Sequence, residues 1–384
     1  MEPDWIWQQP DWPSFYWNDE EINRQLRAVR LLLGVLIGKT SAIHETADLR
    51  FSLDNMLANI LASSAIEDER LNAQSVRSSL AKRLGIGEDK PYPITDRSEG
   101  VAEMMFDAVT ELQRPLTLER LLKWHVSLFP KNPLSIYAIQ VGKLRTDELM
   151  QVVSGRIDRP IIHFVAPPQD ILEHELRHFL VWFNQYQTDA NRQLDPLLRA
   201  AISHFWFITL HPFDDGNGRI TRALTDLALA QADNQSVRLY AMSMSILARR
   251  QEYYQILEQC QRGTMDITPW LGWFLDTLKA TLEHALATVN QTLKKTRFWQ
   301  RFQHTNLSME QKNVLNRLLD GGVKGFISGI NATQYQKVAK VSKATATRHL
   351  TDLLAKGCLE KLPGGGRSTR YQIAALPLSH ERED

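Results

Sequence analysis

His211 to Arg222 reads H-P-F-D-D-G-N-G-R-I-T-R. These twelve residues hold a histidine, a phenylalanine, two acids, a Gly-Asn-Gly run and two arginines three apart. A histidine can take a proton from an attacking group near neutral pH. A carboxylate can hold a divalent cation, because hard cations prefer oxygen ligands. Glycines let backbone N–H groups converge on an anion without side-chain obstruction. A helix starting just after Gly218 would add its first N–H groups and its dipole to that anion site. Arg219 and Arg222 would then lie one turn apart, both able to grip phosphate oxygens. The chemistry these parts suit is transfer of a phosphate-bearing group.

Such a loop needs elements to hold it. Apolar spacing predicts helices over Glu20–Ile37, Leu53–Ile66 and Ala73–Leu84, then Leu118–Leu128, Asp170–Tyr186, Pro196–Thr209 and Ile220–Ala232. Gly85 to Asp96 reads as a linker. Leu149–Val153 and Ile161–Val165 are β-rich and read as a hairpin turning at Ser154-Gly155, with Asp170 capping the helix beyond it. Trp5, Trp7, Trp12 and Trp17, interleaved with Pro10 and Pro13, read as an extended segment whose indoles pack on the body.

The chain has 384 residues, 43% hydrophobic and 23% charged, enough for two or three domains. The net charge of +1 gives no global bias toward a polyanion. The two cysteines, Cys260 and Cys358, lie far apart without metal-ligand spacing, which argues against a disulfide framework. The N-terminus lacks the pattern of a secretory signal, and the longest apolar run, Leu31 to Ile37, is too short to span a bilayer. These features lead us to expect a soluble cytoplasmic protein with no membrane partner.

The stretch His211–Arg222 matches H-x-F-x-[D/E]-G-N-G-R-x-x-R and so resembles the Fic family, whose proteins typically transfer AMP from ATP to a Ser, Thr or Tyr hydroxyl of a target protein. The resemblance implies that His211 is the general base, that Phe213 anchors the loop, and that Asp215 binds Mg²⁺. Asp214 falls at the variable position; spacing alone does not separate the two acids. It further implies an ATP site running from Asp215 through Gly216, Asn217, Gly218, Arg219, Ile220 and Thr221 to Arg222. Val153, Ser154 and Gly155 would join it from a flap hairpin, which in this family also docks an extended segment of the target. Tyr253-Tyr254 resembles a tyrosine pair beside the adenine and ribose, with Gln261 a further candidate.

Ala62 to Asp68 reads A-S-S-A-I-E-D. Ser63 and Glu67 are four apart and share a helix face. They resemble the family's inhibitory pattern [S/T]-x-x-x-E-[G/N], except that Asp68 replaces Gly or Asn. On that model Glu67 pairs with Arg222 and takes the place of the ATP γ-phosphate.

Beyond the core, Ser308–Leu319, Ala332–Lys340 and Ser342–Lys356 read as three short helices, followed by strands Leu359–Leu362 and Thr369–Ile373 around a Pro-Gly-Gly-Gly turn. That is the order of a winged helix-turn-helix. Between Ser308 and Tyr371 there are eleven Lys or Arg against four Asp or Glu. Lys343, Thr345, Thr347 and Arg348 on the third helix, with Arg367 and Arg370 in the wing, suit DNA contact; winged helices also bind proteins.

The expected architecture is mainly α. It comprises an N-terminal helical region with the inhibitory helix (1–95), a Fic-type helical core with a short hairpin flap and a following helix (96–303), and a winged helix-turn-helix (304–384). Two rival functions stand beside AMP transfer. One is AMP removal, or transfer of another nucleotide moiety, at the same site. The other is a DNA-binding regulator using the core as a sensor. A homodimer is left open.

Overall fold

The computed structural model describes residues 4–40, 45–88, 90–130, 139–146, 150–156, 159–188, 194–233, 239–321, 326, 328–363 and 369–375. The chain divides into two compact units, Met1–Ala285 and Leu286–Asp384. The fold is mainly α: the described residues form fourteen α-helices and two antiparallel hairpins.

In the first unit the tryptophan-rich segment makes one 3₁₀ turn, Ile6–Gln8. Its indoles are spent on packing and hydrogen bonds. Trp5 is buried edge-on against Phe164, Trp7 Nε1 donates to the Val165 carbonyl at 2.7 Å, and Trp12 Nε1 donates to Glu175 at 2.7 Å. Helices α1 (Asp19–Thr40), α2 (Glu45–Ile66) and α3 (Ala73–Arg83) follow. Asn72 caps α3, accepting from two of its first N–H groups.

Helix α4 (Asp96–Thr110) was not anticipated. Thr95 caps it, and it packs on α5 (Leu118–Leu128). The crossing depends on Gly100: a Cβ there would meet the Ser127 carbonyl oxygen at 1.9 Å. That glycine also weakens the helical signal of the sequence.

Strands β1 (Gln151–Arg156) and β2 (Arg159–Val165) form the flap hairpin. Ser154 and Gly155 do not make its turn. They lie within β1, opposite Ile161 and Pro160, and the pairing runs on to Arg156 and Arg159. Local Ser-Gly chemistry lost to strand pairing here. Leu149 lies outside the described residues. Helix α6 (Gln169–Thr188) starts one residue early, so Asp170 sits in its first turn beside the helix dipole instead of capping it.

Helices α7 (Pro196–Leu210) and α8 (Asn217–Asp233) form an antiparallel hairpin at the centre of the unit. Asp195 caps α7 ahead of Pro196 at its first position. Every α7 residue from Leu197 to Leu210 is buried, as is most of α8. A helix that is buried on all sides belongs inside a domain. The loop of this hairpin, 211–216, is the histidine-to-glycine half of the motif. Helices α9 (Met242–Ala248), α10 (Arg250–Gln261) and α11 (Thr268–Arg301) complete the series. The division between the units falls inside α11, at 285/286, whereas the sequence suggested 303/304.

The second unit holds α12 (Met309–Leu319), α13 (Ala332–Ala339), α14 (Lys343–Ala355) and the hairpin β3 (Leu359–Lys361) and β4 (Tyr371–Ile373). Ser308, Asn331 and Ser342 cap its three helices. Its core joins Phe298, Val314, Leu315, Tyr335, Leu350 and Leu353. The elements come in the order read from the sequence. The glycine run of the turn and Arg367 lie outside the described residues. Arg370 donates to the Gly329 carbonyl at 2.8 Å, so it braces its own unit in place of reaching outward. Among the described residues, no helix is long and apolar enough to cross a membrane.

Candidate active site

His211 ends α7 in a left-handed conformation, φ 48° and ψ 57°. Few non-glycine residues adopt it, and the turn swings the ring out of the helix register. Its Nδ1 lies 3.3 Å from the Ile208 carbonyl, which can only accept, so Nδ1 carries the proton and Nε2 keeps a lone pair. Burial is the main reason that its pKa falls to about 4; Arg145 lowers it further, while Glu67 and Asp215 oppose the shift.

The loop after His211 is laced from several sides. Phe213 is fully buried and stacks on His125, ring centres 4.4 Å apart and 11° from parallel. The His125 Nδ1 accepts from Gly142 N–H at 2.9 Å, so its Nε2–H donates to the Asp215 carbonyl at 3.2 Å. Asn217 clasps Phe213 from the other side: its Oδ1 accepts from Phe213 N–H at 3.0 Å and its Nδ2 donates to the Phe213 carbonyl at 2.7 Å. The asparagine of the motif thus holds the loop shape with its side chain.

The two acids differ. Asp214 Oδ2 accepts from Gln140 N–H at 2.9 Å. Asp215 accepts from Gly216 N–H through Oδ1, which also lies 3.4 Å from Arg219, and the side chain is 55% exposed. Asp214 is committed to a neighbouring segment, and Asp215 is the carboxylate open to a cation. One carboxylate plus substrate phosphates is a usual way to hold Mg²⁺.

Helix α8 begins at Asn217, two residues earlier than expected, with the Ile220 N–H closing onto the Gly216 carbonyl at 3.0 Å. Its first-turn N–H groups have no partner inside the helix. Ile220 and Thr221 face the core, both 0% exposed, and Thr221 Oγ1 donates to the Asn217 carbonyl. Both side chains are spent on packing, and neither residue lines the cavity beside the loop.

The end of α2 covers the motif. Arg222 donates from Nε to Ser63 Oγ and from Nη2 to the Ser63 carbonyl, each at 2.8 Å. Its Nη1 lies 2.9 Å from Glu67 Oε1, an ionic contact without the alignment of a hydrogen bond. The Glu67 carboxylate rests on Gly218 so closely that a Cβ there would meet Oε1 at 2.1 Å. Arg219 is held by a different acid, Glu69, at 2.6 Å, which Arg97 also contacts. Asp68 takes φ 56° in the place of the family's Gly or Asn. Glu69 and Arg97 carried no signal in the sequence; each acts across the fold from a surface pattern.

A cavity of about 550 Å³ opens beside this turn. Its wall includes His211, Gly218, Glu67, Val153, Ser154, Tyr253, Tyr254 and Gln261. Gly155, Asp215, Gly216, Asn217, Arg219, Arg222 and Ser63 lie outside that wall. The flap side is tied to α10. His163 Nδ1 donates to Glu258 at 2.8 Å, its Nε2 accepts from Ser154 Oγ at 2.6 Å, and Arg262 donates to the Ile162 carbonyl at 3.0 Å.

The tyrosine pair splits. Thr225 donates to the Thr221 carbonyl, so its oxygen accepts from His204 Nδ1–H. His204 Nε2 therefore accepts from the Tyr253 hydroxyl at 2.9 Å. Tyr253 is 1% exposed and offers the cavity only part of its ring. Tyr254 donates to the Ile66 carbonyl at 3.2 Å and reaches Glu67 at 3.5 Å, so its polar end serves the turn after α2. Gln261 donates to Thr209 Oγ1 at 3.2 Å.

Residues 115–229 match the Fic/DOC family, and the chain carries a Fic/DOC domain there. Residues 5–86, which contain Ser63 and Glu67, match a second family described as a domain of unknown function, DUF4172. Among curated proteins, the chain is 30% identical over 151 residues to protein adenylyltransferase fic-1 of Caenorhabditis briggsae, covering 39% of this chain and 26% of that protein. It is 26% identical over 248 residues to protein adenylyltransferase Fic of Drosophila grimshawi, covering 63% and 46%. The chain thus spans less than half the length of these relatives. The crystal structure of a Fic family protein from Desulfovibrio desulfuricans G20 matches with a TM-score of 0.54 at 20% identity, over 94% of this chain and 98% of that one. That likeness shows the fold.

Proposed function

We propose that the chain transfers AMP from ATP to a Ser, Thr or Tyr hydroxyl of a target protein. The observation that carries the reading is His211, its Nε2 lone pair retained, lining one cavity with Gly218 at the start of α8. Nε2 takes the hydroxyl proton, the hydroxyl oxygen bonds to the α-phosphorus, and the bond to the departing pyrophosphate breaks. The first-turn N–H groups of α8 and the Arg219 and Arg222 guanidiniums receive phosphate oxygens. Asp215 would hold Mg²⁺, which supplies charge neutralisation between the phosphates. Among the described residues β1 pairs with β2 alone, so its other edge is where an extended target segment can pair, while β2 carbonyls already accept from Trp7 and Arg262. Glu67 restrains the reaction by holding Arg222 and the space over Gly218.

The test is labelled ATP in a cell lysate, comparing the wild-type chain, Glu67→Gly and Glu67→Gly/His211→Ala. Label on protein with Glu67→Gly, lost with the double variant, is the expected result. Label released from pre-modified target, with none added, would favour AMP removal. Absence of both would favour a sensor.

For the second unit we propose nucleic-acid contact through α14, whose Lys343, Thr347 and Arg348 are exposed on one helix. Thr345 instead accepts within the α14 cap from Arg348, at 3.4 Å. Phosphate contacts release counterions, so DNA retention should weaken steeply with salt. Retention unchanged in Lys343→Ala/Arg348→Ala would exclude this surface.

A further inference from the structure

We infer that Arg145 is a positioning residue for His211, tying the histidine's backbone to the base of the flap hairpin. The inference rests on His211 as the general base. Arg145 precedes β1 and is 1% exposed. Its Nε donates to the His211 carbonyl at 2.8 Å, Nη2 donates to the Pro167 carbonyl just beyond β2, and its own N–H donates to the Pro212 carbonyl at 3.0 Å. A guanidinium at this depth is costly unless its donors are used. Here two of its nitrogens are spent on one carbonyl of the reacting loop and one of the flap.

The need for such a clamp follows from the backbone. A histidine at φ 48° persists only where its surroundings over-determine it. The His211 N–H is held by Phe207 and its carbonyl by Arg145, so both of its main-chain polar groups are engaged. The same segment is laced twice more to the loop, directly through Gln140 to Asp214 and by way of His125, which joins Gly142 to the Asp215 carbonyl. Arg145 touches no reacting atom. Its guanidinium also stands near enough to the imidazole to disfavour a second positive charge, against the opposing pull of Glu67 and Asp215.

The roles separate in kinetics. In the Glu67→Gly chain, Arg145→Gln should lower kcat about 10²-fold, the cost of a small misplacement. KM for ATP should change by no more than about twofold, because the phosphate contacts remain. The acid limb of the pH profile should also move upward. Arg145→Lys keeps the charge and loses the fork, so the limb should return while kcat recovers only in part. An unchanged kcat overturns the inference. So does a loss that only follows a lowered folded fraction, with ATP affinity falling and the acid limb unmoved. If Arg145→Gln does not fold, the kcat and KM of Arg145→Lys decide by the same criteria. Full activity of His211→Ala in the same assay would instead overturn the base assignment beneath it.

Discussion

Asp68 and Arg250 meet as a two-point ion pair, Oδ1 to Nη1 at 2.8 Å and Oδ2 to Nη2 at 2.7 Å, between the turn after α2 and the start of α10. The hydrogen bonds to Arg250 hold the Asp68 carboxyl below its usual range. The pair stands one residue from Glu67, so it steadies the turn that presents the Glu67 carboxylate to Arg222 and Gly218.

Asp68→Gly tests that latch. Glycine takes φ 56° without a Cβ penalty, so the turn should still form. The lost pair is solvated and contributes little to folding. The melting temperature should barely change while AMP transfer rises, by less than with Glu67→Gly. High salt should bring the wild type toward the variant. Identical transfer by Asp68→Gly and wild type at low salt would show that the pair does not steady the turn.

Glu67→Gly removes the carboxylate from Gly218 and frees Arg222, while Ser63 keeps its two bonds to the arginine. Transfer should rise well above wild type without a large loss of stability. Adding Arg222→Ala should abolish the gain, because a phosphate ligand goes with the ion pair. Equal initial rates for wild type and Glu67→Gly, across ATP concentrations and with a competent target, would leave Glu67 without an inhibitory role.

His211→Ala should cost about 10²- to 10⁴-fold in transfer, with ATP binding largely kept. Burial depresses the His211 pKa to about 4, so its lone pair is available well below neutrality. In Glu67→Gly, kcat/KM should stay level as pH falls from 7 toward 5 and drop nearer 4. An acid limb centred near 6.5 would mean that His211 titrates like a solvated histidine.

Depressed histidines make a stability signature, the buried His125 being held low as well. His204 is depressed to about 3 and His211 to about 4, chiefly by burial. Below about pH 6.5 the unfolded chain binds protons that the folded chain refuses, so stability falls as pH drops toward 4. Each group contributes at most about 1.4 kcal/mol per pH unit. Urea midpoints should show this slope, reduced in His204→Gln. A midpoint that does not move between pH 7 and 5 would contradict it.

The acids should part company in metal dependence. Asp215→Asn should raise the Mg²⁺ concentration needed for half-maximal transfer. Asp214→Asn should leave that concentration near wild type, since Asp214 serves the Gln140 N–H. Chelation followed by restored Mg²⁺ should recover the wild-type rate. Equal metal dependence of the two variants would refute the assignment.

Much of this was legible in sequence where the signal is local. Leu118 and Leu128 bound α5 as expected, α7 opens at Pro196 as expected, and Ser308 and Ser342 open α12 and α14, because helix starts leave residue-type marks. Helix α4 was missed because Gly100, placed there for a helix crossing, dilutes its pattern. Ile220 and Thr221 were read with the ligands because a motif looks contiguous on paper, whereas a helix turns each successive residue by about 100° and these two side chains pack into the core. His125, Arg145 and Arg250 had no local signal. Each is an ordinary residue until folding brings it against the loop, and only their distant partners give them meaning.

The motif loop joins two helices that are buried almost throughout, α7 and α8. Such a seat is stiff: its neighbours leave little slack through which the loop could be reshaped gradually. Adjustment has to come from pieces that meet the loop at its rim, the turn after α2 on one side and the flap on the other. The working parts are thus divided like a fixed anvil and exchangeable tooling. Substitutions along α7 should mostly break the machine, and substitutions at the rim should retune it.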